Sequence, residues 1–420
     1  MHFHTFLFGR IKVLMKILLI NNCYPFGSTG KIVKSLEDCY NHLGHKTVLI
    51  YGQGPKTYAD HYRVTTKLYR KIQALISRIT GIMYGGCFLS TNKVIRIIKK
   101  SKPDVVHLHC LNSHFINIYR IITWLKNNNV QTVITNHAEF LYTANCGHAL
   151  DCEKYQTGCG NCPRLKKETK SWFIDGTHKS WIKMKKAFDG FDSLIVTNVS
   201  PWLNERALSS EILKSFDHYT VLNGVDTTVF YYRDNYQSNE EKVVFHATAN
   251  FSDDPNDLKG GRFLIEIARK FEDRNVKFIV AGKSSVSSSI PSNMILLGHI
   301  TDQNELAELY SKADLVVITS QKETFSMITA ESLCCGTPVV GFKAGGPEMI
   351  TILDYSKFVE YGNIADLYDA TNRLLYKTFD KKTVSKAAKE KFSMSYMAQL
   401  YIAIYQEMIG CKNNENKNAI

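Results

Sequence analysis

Glu323 and Glu331 stand eight residues apart in ETFSMITAESLCCGTPVVGFKAGGPEMI, between a short turn and the start of a helix. Over that spacing a helix advances about 12 Å, just over two turns. Carboxylates so placed reach different parts of one extended ligand. The backbone N–H groups between them lie at a helix N-terminus, where a phosphate is favoured. Carboxylates for hydroxyls at two ends and amides for a diphosphate between them are the contacts that a nucleotide sugar needs. Two acids alone at this spacing would read as a solvated helix face. The Gly-Thr-Pro-Val-Val strand and the Gly-Gly-Pro-Glu turn that follow set this pair apart.

In DDPNDLKGGRF, Lys259 precedes Gly260 and Gly261 at the start of another helix. A lysine there can neutralise a diphosphate leaving group, an electrostatic contribution of ~3–4 kcal/mol for a well-placed donor. PFGSTGKIV offers Gly27 and Gly30 after the first strand. It is no P-loop, because Ile32 stands where Ser or Thr is required and no glycine lies at the required distance before Gly30. Two readings stay open, a glycine turn facing a sugar or pyrophosphate and a bare strand-to-helix turn. His137, in TNHAEF, falls at a strand's carboxyl end, where it can hydrogen-bond the transferred sugar or its phosphate, or be satisfied by backbone. His107, His109 and His114 divide between shaping an acceptor side and serving structure. CGHALDCEKYQTGCGNCP holds Cys146, Cys152, Cys159 and Cys162. A tetrahedral structural zinc, a disulfide and free thiols are all chemically open to it, with His148 a substitute ligand. In each case the cysteines order a loop and do no catalysis. Cys334 and Cys335 read as core.

These residues need a scaffold of parallel strands. KILLIN (16–21), TVLIYG (47–52), DVVHLH (104–109), QTVIT (131–135) and SLIVTN (193–198) form one set. KVVFHAT (242–248), KFIVAG (277–282), NMILLG (293–298), DLVVITS (314–320) and PVVGF (338–342) form another. Most are unbroken apolar runs, as expected of strands covered on both faces. Helical stretches between them predict right-handed βαβ units and two doubly wound domains. The polar stretch 231–242 marks a break, and 391–410 reads as a strong helix followed by a frayed tail. The expected domains are 15–215 and 216–390, with helix 391–410 crossing back to the first.

At 420 residues two cores are natural. No apolar run reaches the ~18–20 residues that span a bilayer. The apolar start lacks a small-residue cleavage site and is no signal peptide, and residues before Met15 read as an upstream extension. Eleven cysteines without such a signal fit a reducing compartment. The net charge of +13 draws the chain to anionic surfaces, and no recognition helix or RNA-binding signature accompanies it, so nucleic acid is not the expected partner. In KLYRKIQALISRITG, Leu68, Ile72, Leu75, Ile76 and Ile79 share one helical face, with Lys67, Arg70, Lys71 and Arg78 on the others. Such a helix lies in a membrane interface or packs on its own domain.

From about Met15 to Gly410 the motifs together resemble the retaining family 4 glycosyltransferases. The resemblance is carried by the early glycine turn, His107–His109, NGVD (223–226) with Phe230, Lys259-Gly260, the two spaced glutamates and the GTPVV strand with its GGPE loop. The cysteine loop is similar to that of a bacterial subgroup that builds colanic-acid-like, capsular or O-antigen polysaccharides. The resemblance implies a GT-B fold of two Rossmann-like domains facing across a cleft, with metal-independent transfer and retention of configuration. It assigns Glu323 to hydroxyls of the donor sugar and Glu331 to the ribose. Backbone amides of Phe325, Ser326 and Met327 and the Lys259 amine would hold the diphosphate, with Gly30 facing it from the other domain. His137, Lys259 and Glu323 are the expected catalytic set. Two departures stand out. The family often has an arginine shortly before the lysine, absent from ANFSDDPNDLKGG, and the subgroup often reads His-Asp where Ala138 follows His137, with Glu139 a substitute.

The expectation is a cytoplasmic enzyme, peripheral to the inner face of the cell membrane, that moves a hexose or N-acetylhexosamine from a UDP- or GDP-sugar to a lipid-linked saccharide. No cofactor is required for catalysis. A non-catalytic nucleotide-sugar-binding subunit and a GT-B sugar-nucleotide epimerase are the rivals.

Overall fold

The computed structural model describes residues 14–234 and 240–418. The expectations for residues ahead of Leu14, for part of the polar break and for the last two residues lie outside the described residues. Seven parallel strands form the first sheet: β1 (Lys16–Cys23), β2 (Lys46–Gln53), β3 (His61–Arg63), β4 (Val105–Leu108), β5 (Thr132–Asn136), β6 (Leu194–Asn198) and β7 (Asp217–Thr220). Six form the second: β8 (Lys242–Phe251), β9 (Val276–Ser284), β10 (Met294–Gly298), β11 (Leu315–Ile318), β12 (Val339–Phe342) and β13 (Ser356–Val359). The apolar runs are the sheet centres. Strands β4, β5, β6, β11 and β12 are buried along their whole length, which only helices on both faces can achieve.

The orders are β3-β2-β1-β4-β5-β6-β7 and β10-β9-β8-β11-β12-β13. Each sheet therefore winds one way from its first strand and then reverses. The reversal lies between β1 and β4, where Leu19 pairs with His107, and between β8 and β11, where Phe245 pairs with Val316. Loops diverge at such a point and leave an opening beyond the strands' carboxyl ends.

The chain divides into two compact units. The first runs to Val199 and takes in Leu203–Val221 and the chain from Met397, and the second is Ser200–Trp202 with Leu222–Tyr396. The last helix, Met394–Asn418, continues past the frayed end expected at Gly410. Neither a proline nor a turn sequence follows Gly410, so nothing in CKNNENKN stops it. Among the described residues no helix is long and apolar enough to cross a membrane.

In the first unit, Glu139 is not a spare acid beside His137. Its carboxylate is fully buried and accepts from Arg206 Nε at 2.6 Å, Tyr142 Oη at 2.8 Å and the Ala149 amide at 2.6 Å. It pins the start of the cysteine loop, and Arg164 fixes the next turn by donating to the His148 and Ala149 carbonyls. Glu139→Ala strands the largely buried Arg206 guanidinium and should cost about 3–5 kcal/mol. A lowered denaturant midpoint, partly restored by adding Arg206→Met, is the expected result.

Candidate functional site

The reversal point of the second sheet brings together residues 64 positions apart. Lys259 follows β8 and Glu323 follows β11, and Lys259 Nζ donates to Glu323 Oε1 at 2.5 Å. The same carboxylate oxygen accepts from Ser320 Oγ at 2.9 Å. The lysine side chain keeps about 38% of its surface exposed, so its charge is available to a ligand. Its backbone is fixed from the sheet, since Thr319 Oγ1 donates to the Lys259 carbonyl at 2.9 Å. Gly260 makes this approach possible. It holds φ +66°, and a Cβ there would stand 2.3 Å from the Thr319 carbonyl oxygen.

Glu323 does not lie on the helix that carries Glu331. That helix is Met327–Cys334, and Glu323 sits in the loop before it. Its backbone is paired like a short strand with the 344–346 loop, Glu323 N–H to Ala344 O at 3.0 Å and Gly346 N–H to Glu323 O at 2.8 Å. Glu348 holds that loop in turn by accepting from the Ala344 and Gly345 amides. Ser200 Oγ donates to the Thr324 carbonyl at 2.6 Å. The site's carboxylate is thus placed by the glycine loop that follows β12.

Ser326 caps the helix with φ +81°, a left-handed conformation that costs a serine of order 1–3 kcal/mol. Its Oγ accepts from the Thr329 amide and hydroxyl. Among the described residues, the amides of Phe325, Ser326 and Met327 donate to no acceptor, as the first amides of a helix do until an anion arrives. The Phe325 side chain is core, edge-on to Phe392. Glu331 lies one turn into the helix and accepts from Tyr310 Oη at 3.2 Å. It borders a cavity of about 200 Å³ lined also by Thr248, Gly282, His299, Ile300 and Ile328. Burial, then the Glu331 charge, hold the Tyr310 phenol protonated far above its usual range. His246, on β8, donates from Nδ1 to the Val317 carbonyl at 2.8 Å. Burial brings its pKa down to about 4, so it is neutral at pH 7.

The first unit treats its expected residues differently. Gly30 is buried in the first turn of the helix Gly27–His42, and a Cβ there would lie 3.2 Å from Cys23 Sγ. His107 is a sheet-core residue, hydrogen-bonded to Tyr405 Oη at 2.6 Å and Thr135 Oγ1 at 2.7 Å. His109 Nδ1 lies 3.1 Å from His137 Nε2, and one of the two donates. Burial holds all three imidazoles neutral, His137 at about 4. His137 can therefore offer hydrogen bonds but carries no proton as imidazolium near pH 7. His114 is depressed too, by burial and then by Arg78 and Lys170.

No disulfide joins the four loop cysteines. Among the described residues no group of three or more His, Cys, Asp or Glu is placed to hold a metal. Burial pushes Cys146 and Cys159 up to about 12. Hydrogen bonds order the loop: the Cys162 amide donates to Asp175 at 2.7 Å and His178 Nδ1 donates to the Cys159 carbonyl at 2.8 Å.

Ser320, Thr319 and Tyr310 are site residues that the sequence motifs do not single out, whereas Glu348 is the last residue of the GGPE turn. Ser320 and Thr319 were within reach of sequence reasoning, as the last residues of the predicted strand 314–320, which ends at Ile318 in the structure. Tyr310 was not, because it reaches Glu331 from a separate helix, Gln303–Lys312.

This arrangement defines the class. The fold is of the GT-B type, two Rossmann-like units each built on a parallel sheet. Residues 242–377 match the family model described as "Glycosyl transferases group 1". Over nearly its whole length the chain is similar to N-acetyl-alpha-D-glucosaminyl L-malate synthase of Bacillus anthracis, at 22% identity over 96% of this chain and 99% of that protein. It is equally similar to the "Putative colanic acid biosynthesis glycosyl transferase WcaC" of Escherichia coli (strain K12), 22% over 94% and 100%. Among solved structures, sucrose-phosphate synthase from Thermosynechococcus elongatus shares the fold with a TM-score of 0.65 and 18% identity, covering 94% of this chain and 99% of that one. Anabaena Alr3699/HepE, solved with UDP-glucose, shares it with a TM-score of 0.59 and 14% identity, over 94% and 100%.

The buried imidazoles set an acid limit on stability. The unfolded chain binds protons on histidine from about pH 6.5, but the fold resists until about pH 4 at His137. Stability is therefore complete above pH 6.5 and falls as pH drops through that window. His137→Gln should flatten the fall between pH 6.5 and 4 by up to ~3 kcal/mol, read from denaturant midpoints at several pH values.

Proposed function

We propose that this enzyme moves a hexose or N-acetylhexosamine from a UDP- or GDP-sugar to a lipid-linked saccharide, with retention, in the assembly of a surface polysaccharide. The observation that carries the reading is the Lys259–Glu323 pair across the reversal point of the second sheet, beside the capped helix Met327–Cys334. In this reading the diphosphate lies against the amides of Phe325, Ser326 and Met327. Glu331 accepts from the ribose hydroxyls, and the base enters the cavity next to it. Lys259 exchanges its contact with Glu323 for the diphosphate, which frees the carboxylate to accept from sugar hydroxyls. The similarity to WcaC supports the polysaccharide, and the UDP-glucose bound by Alr3699/HepE supports the donor class.

Retention follows from a front-face route. The bond from C1 to the leaving phosphate oxygen breaks as the acceptor oxygen bonds C1 on the same face, and that phosphate takes the acceptor proton. Lys259 and the helix amides stabilise the charge that develops. No protein nucleophile or cofactor enters the reading. His137 hydrogen-bonds the transferred sugar as a neutral imidazole.

Calorimetric titration with UDP and with GDP should show binding of one of them, weakened in Glu331→Ala. Lys259→Ala should keep the thermal midpoint and lower kcat by about 10²–10³. The product's anomeric configuration, read by NMR, should match the donor's. An inverted product, or an enzyme that binds neither nucleotide, defeats the reading.

A further inference from the structure

The helix Lys67–Thr80 of the first unit is packed the wrong way round for a soluble protein. Its one fully buried residue is Ser77, and Gln73 faces inward to accept from the Cys87 amide at 2.8 Å. Leu68, Ile72, Leu75, Ile76 and Ile79 are all exposed, Leu68 to 69%. Their spacing places them within about a 100° arc of the helix. A helix that used its apolar stripe for folding would turn it to the core.

A second apolar element stands beside the first. The loop after Ser171 exposes Trp172, Phe173 and Ile174, Phe173 to 79%. It is bound to the helix's last turn, with the Trp172 amide and Ser171 Oγ both donating to the Arg78 carbonyl, the amide at 2.9 Å. Backbone meets backbone there. A Cβ on Gly81, the helix's left-handed cap, would stand 2.3 Å from the Ile174 carbonyl oxygen. Only a glycine lets the loop and the helix end share this position.

Cations border the apolar residues. Lys67, Lys71 and Arg78 line one edge of the stripe, and Arg78 and Lys170 both act on His114. At the helix's amino end a cavity of about 490 Å³ is lined by Arg63, Lys93, Thr66, Tyr69, Ser90 and Leu89. Arg63 and Lys93 hydrogen-bond through their side chains only to carbonyls, of Gly54 and of Arg63 itself. Among the described residues neither has a carboxylate within ion-pair distance.

We propose that this helix and the 172–174 loop form one insertion face for an anionic lipid bilayer, with the Arg63–Lys93 cavity receiving a lipid phosphate. The apolar residues enter the acyl boundary, Trp172 sits at the headgroup level, and the cations meet the phosphates. Charge complementarity selects this occupant over a neutral apolar partner, since the exposed stripe is edged by lysine and arginine. The face serves the acceptor side of the function proposed above and rests on that reading for its purpose, but its test uses neither donor nor acceptor.

The full-length protein should co-sediment with vesicles of phosphatidylcholine and phosphatidylglycerol, and far less with phosphatidylcholine alone. Ile72→Gln with Leu75→Gln, and separately Trp172→Ala with Phe173→Ala, should each weaken binding about tenfold or more. These side chains are exposed, so unchanged thermal midpoints should accompany the loss. Arg63→Ala with Lys93→Ala should reduce the preference for the anionic vesicles. The tryptophan emission should shift to the blue on binding, and Trp172→Phe should remove that shift. Absence of binding to anionic vesicles overturns the proposal even if UDP or GDP binds. So does a concentration-dependent dimer in sedimentation equilibrium that Ile72→Gln with Leu75→Gln abolishes, because the face then belongs to a second copy.

Discussion

A parallel sheet that winds outward from its first strand in both directions must reverse once, and that reversal is where this protein concentrates its chemistry. At β8 and β11 the two loops part, and a lysine from one meets a glutamate from the other at 2.5 Å. The pair is partly open to solvent on its lysine side. An ion pair so exposed contributes little to stability. Its value is in position, because it joins two loops 64 residues apart at the opening beyond the strand ends. Gly260 and the Thr319 hydroxyl fix one partner, and the 344–346 loop fixes the other. The site's geometry is therefore a property of three strand ends and not of the helix that its most visible motif suggests.

The first sheet spends its polar residues in another way. His107, Thr135, Tyr401, Tyr405 and Tyr40 form a chain of buried hydrogen bonds that ties the final helix to the strands. Each group is satisfied by another, and none needs water. His109 and His137 continue the row toward the carboxyl ends. Keeping them neutral is what burial demands, and it confines His137 to donating or accepting hydrogen bonds.

The sheets were legible because unbroken β-branched runs have few other uses. Every long strand lies where its apolar run lies. The short edge strands β3 and β13 escaped, since HYR and SKFV carry polar residues and pair on one side only. Lys259 and Glu323 were visible as types next to strand ends. Their contact was not, because it depends on strand order, which no local pattern encodes. His107 was ambiguous for the same reason: its partner Tyr405 is 298 residues away. Glu139 looked like a substitute for a missing acid near the site. Only the fold reveals Arg206 beside it.

The helix Lys67–Thr80 shows how far periodicity alone can carry an inference. Its stripe is equally consistent with packing inward or facing outward, because the spacing of apolar residues holds no record of where the core lies. What decides is the composition of the opposite face. Gln73, Ala74 and Ser77 are small or polar enough to lie against a domain without adding to its core, and Gln73 spends its side chain capping the next helix. The apolar side chains are then free for another surface. The loop tied to Gly81 adds a tryptophan and a phenylalanine on that side at no cost to the core. Two elements far apart in sequence expose apolar side chains next to each other, which folding alone does not require. A surface outside the protein supplies the reason.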